Sequence, residues 1–476
     1  MSTMMECKEQ RTITARHGGV SFSEQALRHM APVYEVLTTS PIDHMLSTAQ
    51  GMLGPAPPQS ESSSTTPQPS SQKWPQTPLQ GLSKTELAQH LGVLDFPHST
   101  LRTEFLRAFL QYVQAGLPCV DDHVVNSQSA LLAWAALSAS CPFVPIAAIH
   151  QAGYSTRLED EPIIQIQSLL LISLWEEDSN GPKGAAYWLG LAISTATRIG
   201  LHEDATDRDS PSKRRLWWCL YTRDVQIALA YCRPCQITIG LYSPLTLSPL
   251  TKEDLEPVEG ESPGHPISQA SDRLQLATIF VQKAHYYIGI ARWLHSVYET
   301  SWKLTAAGDV YQTMTLRKEV SRLDLREHQR SLKACIREIN LNLDEPGTET
   351  HPAVVVQHMA LRIECICSQW VLLPANVLRG SYEYFPAQAT ASACEIVSDL
   401  RSLYTSKLIQ YLPMTCMAAL YFATRVLSLH LATREMERDA RSFASHMVCV
   451  ALLRALQGVH PLPDVDNPLF PASSRL

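Results

Sequence analysis

Apolar residues recur along most of this chain at three- and four-residue spacing, the period of a helix with one face turned to a core. From Gly81 onward that period predicts a succession of helices separated by short polar breaks bearing Pro or Gly. Ser83 caps a segment through His90, Thr100 opens one that runs through Tyr112 and Val113, and a third covers Gln128 to Ser140. Ile163 to Trp175 reads as a strongly apolar helix, and Asp272 to about Tyr298 as a long one. Further helices are expected at about Thr313 to Asn342, Pro352 to Val377, Pro386 to Leu403, Tyr411 to Ala432 and Glu435 to Gly458. Strand-like alternation is almost absent and no repeat has a fixed period, so the expected fold class is all-α.

The expected organisation is a mostly disordered N-terminal region over 1–80, an all-α domain over 81–460 and a flexible tail over 461–476. Gly54 to Gln80 are so rich in Pro, Ser, Gln and Thr that they bury too little surface to fold alone. Ser243 to Ser271 reads as a Pro-rich insertion, and its acidic residues Asp254, Glu256, Glu259 and Glu261 are expected to be solvated. The tail Leu462 to Phe470 is acidic and apolar, and reads as a solvated terminus rather than a short activation segment.

The most distinctive stretch runs from Gly184 to Pro234. Ala185, Ala192, Ala196 and Ile199 fall near one helix face, where a neighbouring backbone could approach closely. Gly200 then stands where a left-handed residue caps a helix, with Leu201 as its apolar partner and His202 following. A second helix opens on Ser210-Pro211 and carries Arg214-Arg215-Leu216-Trp217-Trp218. Trp217, Leu220, Tyr221, Asp224, Ile227, Ala228 and Tyr231 share one stripe, read as a core face. A carboxylate there is costly unless an Arg or backbone N–H groups satisfy it. The reading favours an Arg–Asp pair, with Arg198, Arg214, Arg215 or Arg233 as donor.

Composition narrows the class further. At 476 residues and 45% hydrophobic content the chain has ample material for one large helical body or two packed ones. The opening MSTMMECKEQR is polar where an export signal would be apolar. Ser129 to Ile149 is uncharged but interrupted by Pro142 and Pro145, which suits a buried helix and turn better than a membrane span. The twelve Cys are scattered singly, the pattern of reduced buried thiols. A formal net charge of −7 gives no overall footprint for nucleic acid. Lys213-Arg214-Arg215, at a helix start, is the densest basic cluster and a weak candidate for a nuclear import signal.

Helix-stop Gly200-Leu201-His202, the Arg214-Arg215 and Trp217-Trp218 pairs, Asp224 and closing Arg233-Pro234 together resemble the signature of the fungal-specific transcription factor domain, the regulatory half of fungal zinc-cluster activators. Leu91 to Pro97, Leu101 to Leu106, Leu117 to Asp121 and Tyr221-Thr222-Arg223-Asp224 are similar to its cutinase transcription factor subgroup, as is Leu247 to Leu255. The likeness covers roughly Gly81 to Leu378, with Gln114-Ala115 standing where the family commonly has His-Pro and Tyr231-Cys232 where a Gly is usual. It implies an all-α, non-enzymatic, nuclear regulator of a metabolic or secondary-metabolite gene set. The signature residues would be structural.

The family's DNA-binding module holds two zinc ions in a six-Cys cluster, whereas this N-terminus offers only Cys7 with Lys8. One thiol builds no zinc site. No cofactor or metal is therefore expected, unless an upstream cluster has been lost from the gene model. DNA would then be reached indirectly, through a homo- or heterodimer with a DNA-binding regulator, and a small-molecule effector is a further expected partner. Cys232 and Cys235 have a metal-pair spacing but lack a second pair, and Cys365 and Cys367 read as core. His351, His358 and Cys365 lie seven residues apart, about 10 Å per step on a helix, too far to share an ion. His351 is better read as a helix-start residue. No nucleophile elbow, P-loop, dinucleotide fingerprint or HExxH is present, so an all-α enzyme is the lesser alternative and a partner- or metabolite-binding module the greater.

Overall fold

The computed structural model describes residues 96, 98–120, 129–143, 159–174, 184–203, 210–231, 233–237, 249–255, 265–304, 310–317, 322–343, 345–347, 349–371, 387–413, 415–433 and 440–456. The predicted segment Ser83 to His90, the Pro-rich linker and the C-terminal tail lie outside them. His98–Val144 and Glu161–Leu476 form one compact unit, to which every element below belongs. Of the second unit, Met1–Pro97 with Pro145–Asp160, only Phe96, Glu159 and Asp160 are described.

Helix α1 (Ser99–Ala108) continues through a π-helical turn, Phe109–Val113, and on to Gly116, so it outruns the expected end at Val113. Its buried face is Phe105, Ala108, Phe109 and Val113. Helix α2 (Ala130–Ser140) begins where the Ser129 hydroxyl accepts the Leu132 N–H at 3.3 Å. Nearly all of α2 is buried, the fate of a helix apolar on every side. Helix α3 (Pro162–Ile172) carries Pro in its first turn, where a missing N–H costs nothing. Helices α4 (Ala185–Arg198), α5 (Ser210–Tyr231) and α6 (Ala270–Val297) follow, and each of α2 to α6 packs on the next.

At Val297 the chain leaves helical geometry for an antiparallel hairpin, β1 (Tyr298–Leu304) and β2 (Val310–Leu316), with Tyr298 opposite Leu316 and Leu304 opposite Val310. The expected helix from Thr313 therefore starts only at Arg322, as α7 (Arg322–Asn342). Tyr311, Thr313 and Thr315 are strand formers, yet the alternation is brief and lies between two strong helical patterns that mask it. Leu332, Ile336 and Ile339 are the buried stripe of α7, which packs on α6.

The remaining helices are α8 (Pro352–Val371), α9 (Ala387–Thr405), α10 (Thr415–Thr433) and α11 (Ala440–Leu456). Helix α8 lies against α6, α9 and α10, while α11 lies against α9 and α10. His351 Nδ1 accepts the Ala353 N–H at 3.2 Å, the helix-start role read from the sequence. Helix α5 touches α3, α4, α6 and α10, and so joins the first half of the unit to the last. Among the described residues, no helix is long and apolar enough to cross a membrane, and the described cysteines are free thiols.

Candidate functional site

The signature begins with the end of α4. Gly200 adopts φ +71°, Leu201 N–H bonds back to Ala196 O at 2.9 Å and Gly200 N–H to Thr197 O at 3.1 Å. Those are the two bonds of a Schellman cap, and Leu201 is the buried apolar residue that goes with it. Ala185, Ala192 and Ala196 are buried as expected. Ile199, placed on the same face from sequence, is 38% exposed because it is the C-cap residue and the chain has already begun to turn.

Helix α5 is buried all round: every residue from Arg215 to Ala228 is inside, so the stripe read from sequence was too narrow. Neighbouring helices cover it on several sides. Trp217 lies with its ring 5.8 Å from that of His202, and Trp218 meets Tyr221 edge-on at 5.6 Å. The two tryptophans thereby bind the helix-end turn and the core of α5 together.

Asp224 is 1% exposed, and its partners differ from the expected arginine. Oδ1 accepts the Gln236 N–H at 3.1 Å and Oδ2 the Ile237 N–H at 2.8 Å, with none of Arg198, Arg214, Arg215 or Arg233 hydrogen-bonded to it. Two main-chain donors aimed at one carboxylate fix the loop after Arg233-Pro234 and leave no geometric need for a guanidinium. Burial nevertheless raises the Asp224 carboxyl to about 6, because those N–H groups only partly offset the lost hydration. Gln236 reaches on to the Ala186 carbonyl at 2.9 Å, clamping the loop to the start of α4.

The arginines are used elsewhere. Arg214 donates to Asp254 at 2.7 Å, and the second Asp254 oxygen accepts from the Thr251 N–H at 2.9 Å and hydroxyl at 3.1 Å. Asp254 is therefore buried rather than solvated, since an Arg and a local turn together satisfy it. Arg215 is buried as well, so two residues of the basic cluster serve the fold. Arg223, whose role the sequence did not reveal, donates through Nε to the Ser173 hydroxyl at 3.2 Å and through Nη2 to the Ser173 carbonyl, capping the end of α3.

A second buried polar node stands beyond the signature. Glu364 of α8 accepts from Tyr287 Oη at 2.8 Å through Oε2 and from the Thr415 hydroxyl through Oε1, while its carbonyl takes Tyr286 Oη at 3.0 Å. It ties α6, α8 and α10 together. A lone Glu inside an apolar helix pattern was the available signal.

Beside the signature loop lies a cavity of about 140 Å³, lined by Pro234, Cys235, Ile237, Ala291, Leu294, Tyr298 and Met314, with His295, Glu299, Thr300 and Arg317. Cys235, weighed from sequence as half of a metal pair, is one of its walls; Cys232 lies outside the described residues. Among the described residues, no group of three or more His, Cys, Asp or Glu could hold a metal ion. Cys365 and Cys367 are buried, as read.

Residues 121–335 match the fungal specific transcription factor domain. The chain is 29% identical over 180 residues to cutinase transcription factor 1 beta of Fusarium vanettenii, which covers 31% of this chain and 20% of that protein. It is 28% identical to transcription factor cpaR of Aspergillus oryzae, covering 32% of this chain and 31% of that one. To the acetamidase regulatory protein of Aspergillus oryzae it is 28% identical, with 35% and 25% covered. The matched stretches thus span less than a third of these curated relatives. No solved structure matches the chain.

Proposed function

We propose that this chain regulates transcription in a fungus through its helical domain, without catalytic turnover of its own. The supporting observation is the family match over residues 121–335 together with relatives that are named as transcription factors and regulatory proteins. The arrangement of the signature fits a scaffold: Gly200 and Leu201 make a cap, Trp217 and Trp218 are core, and Asp224 and Arg214 are satisfied internally. A scaffold of that kind acts by presenting surfaces and by holding or losing a conformation.

In this reading the target genes form a metabolic or secondary-metabolite set and the protein works in the nucleus. It reaches DNA through a zinc cluster outside the present sequence, or through a dimer with a DNA-binding regulator. The alternative, a co-regulator that binds a partner or metabolite, is favoured by the cavity beside the signature loop. The test is a transcript profile of the parent strain against a strain deleted for the gene. A co-located set of transcripts changing together is expected, with chromatin precipitation of the tagged protein then asking how it reaches promoters. Unchanged transcripts beside an altered metabolite profile would overturn the regulatory reading.

A further inference from the structure

The cavity beside the signature loop is closed by three separate pieces of chain, and the way its lining residues point defines what it can hold. Its inner wall is apolar and buried, formed by Ile237, Ala291, Leu294, Tyr298 and Met314, each no more than 4% exposed. Its mouth opens to solvent beside Thr300 and His295, both exposed. Thr300 pairs with Met314 across the hairpin and follows Tyr298 by two along β1, so all three stand on the face that closes the hollow. An apolar hollow with a polar group at its mouth is the usual composition of a small-ligand pocket.

Neither charged residue at the mouth is open to a ligand. Glu299 alternates with Tyr298 and Thr300 along β1, so its carboxylate stands on the opposite face of the hairpin. Arg317 is committed within the fold, donating through Nε to the Tyr298 carbonyl and through Nη2 to the His295 carbonyl, at 3.1 Å each. Cys235 adds no charge, because burial pushes its thiol well up. An ion entering the hollow would lose hydration and meet no opposite charge in return, a cost that an uncharged molecule escapes. Size sets the other limit. The space is about 140 Å³, and a dry apolar cavity of about 150 Å³ takes one benzene ring.

We propose that this cavity binds a small uncharged molecule, apolar except for one hydroxyl or carbonyl: a single ring or short branched chain against Ile237, Ala291, Leu294 and Met314, with its polar atom at the mouth beside the Thr300 hydroxyl. Pro234, Cys235 and Ile237 belong to the loop that Asp224 fastens to α5, so an occupant touches that loop, the end of α6 and the hairpin at once. As an input to a regulator the site rests on the regulatory reading above; as a binding site it stands without it.

Binding by the purified full chain decides it, and is measured separately from any transcript response, so either reading can fail alone. Ligand-observed NMR at about pH 8, where ordinary imidazoles are uncharged, follows benzyl alcohol, benzoate and benzylamine, which share one ring and differ in charge. Saturable binding of benzyl alcohol at millimolar concentration or below is expected, with both ions at least about tenfold weaker. Ala291→Leu, which fills the hollow, is expected to abolish binding of benzyl alcohol while keeping a cooperative unfolding transition. Thr300→Trp, at the exposed mouth, is expected to weaken it by at least about tenfold, and decides the matter should Ala291→Leu fail to fold. No saturable binding of benzyl alcohol, equal binding of either ion, or binding unchanged in a folded Ala291→Leu or in Thr300→Trp would overturn the proposal.

Discussion

Asp224 and Glu364 are both carboxylates buried in a helical core, and they are satisfied in opposite ways. Asp224 takes two main-chain N–H groups that lie 12 and 13 residues further along. Glu364 takes two side-chain hydroxyls, from Tyr287 and Thr415, at separations of 77 and 51 residues. The first is a local device. Every residue type except Pro can supply its donors, so a single Asp placed on α5 suffices and the whole unit fits inside one short motif within the matched family region. The second depends on particular side chains on three helices, and although a lone Glu in an apolar helix pattern marks the carboxylate, no local pattern announces its partners.

The difference predicts how each node breaks, beginning with the largest effect. Glu364→Ala strips acceptors from two buried hydroxyls and is expected to cost about 3 kcal/mol of unfolding free energy, whereas Glu364→Gln, which keeps an acceptor and the shape, costs about 1. Urea unfolding checks both. A double-mutant cycle with Tyr287→Phe should show clear non-additivity, and simple additivity would mean the hydroxyl is not coupled to the carboxylate.

Asp224 responds to pH instead. Its carboxyl stands at about 6 in the fold against an ordinary value of 3.8, so it is raised, and ionisation opposes folding. Above pH 6 the whole penalty applies; as pH falls from there toward 3.8 it is relieved. The wild type should therefore gain up to about 3 kcal/mol relative to Asp224→Asn over that window. Parallel unfolding curves for the two proteins at pH 7 and pH 4.5 would count against the assignment.

Arg214→Ala leaves Asp254 with only its Thr251 contacts, and since the Arg side chain is 21% exposed and water can partly replace it, the expected loss is about 2 kcal/mol, read from the same curves. The smallest effect is at the helix stop. Gly200→Ala meets the Glu203 side chain only at ordinary contact distance, 3.7 Å, but must adopt φ +71°, which costs about 1 kcal/mol, whereas a denaturation midpoint equal to wild type would show that the cap bears no strain.

How much of this was legible in the sequence follows the same division. Helices with a sustained period, such as α3, α4 and α6, and the Gly200 cap were readable because each depends on spacing within a few residues. The hairpin after Val297 was not, since seven-residue strands carry too little alternation between two long helical patterns. Asp224 was read correctly as a buried carboxylate on α5, while its partners were not, because nothing in a sequence distinguishes a main-chain donor from the next residue's. Asp254 was misread for a related reason: a Pro- and Gly-punctuated loop usually lies in water, and only the fold brings Arg214 to it, 40 residues away. The cavity was illegible because its walls come from three separate stretches, the 233–237 loop, the end of α6 and the hairpin.

The central structural claim is that the signature holds the helices together rather than contacting a partner, and Trp217→Ala in the purified full chain tests it most directly. Loss of a fully buried indole from α5 should lower the unfolding free energy by about 3–5 kcal/mol, with a cooperative transition at lower denaturant. An unchanged midpoint, together with loss of the transcript response in a strain carrying the variant, would contradict the account and make Trp217 part of a contact surface.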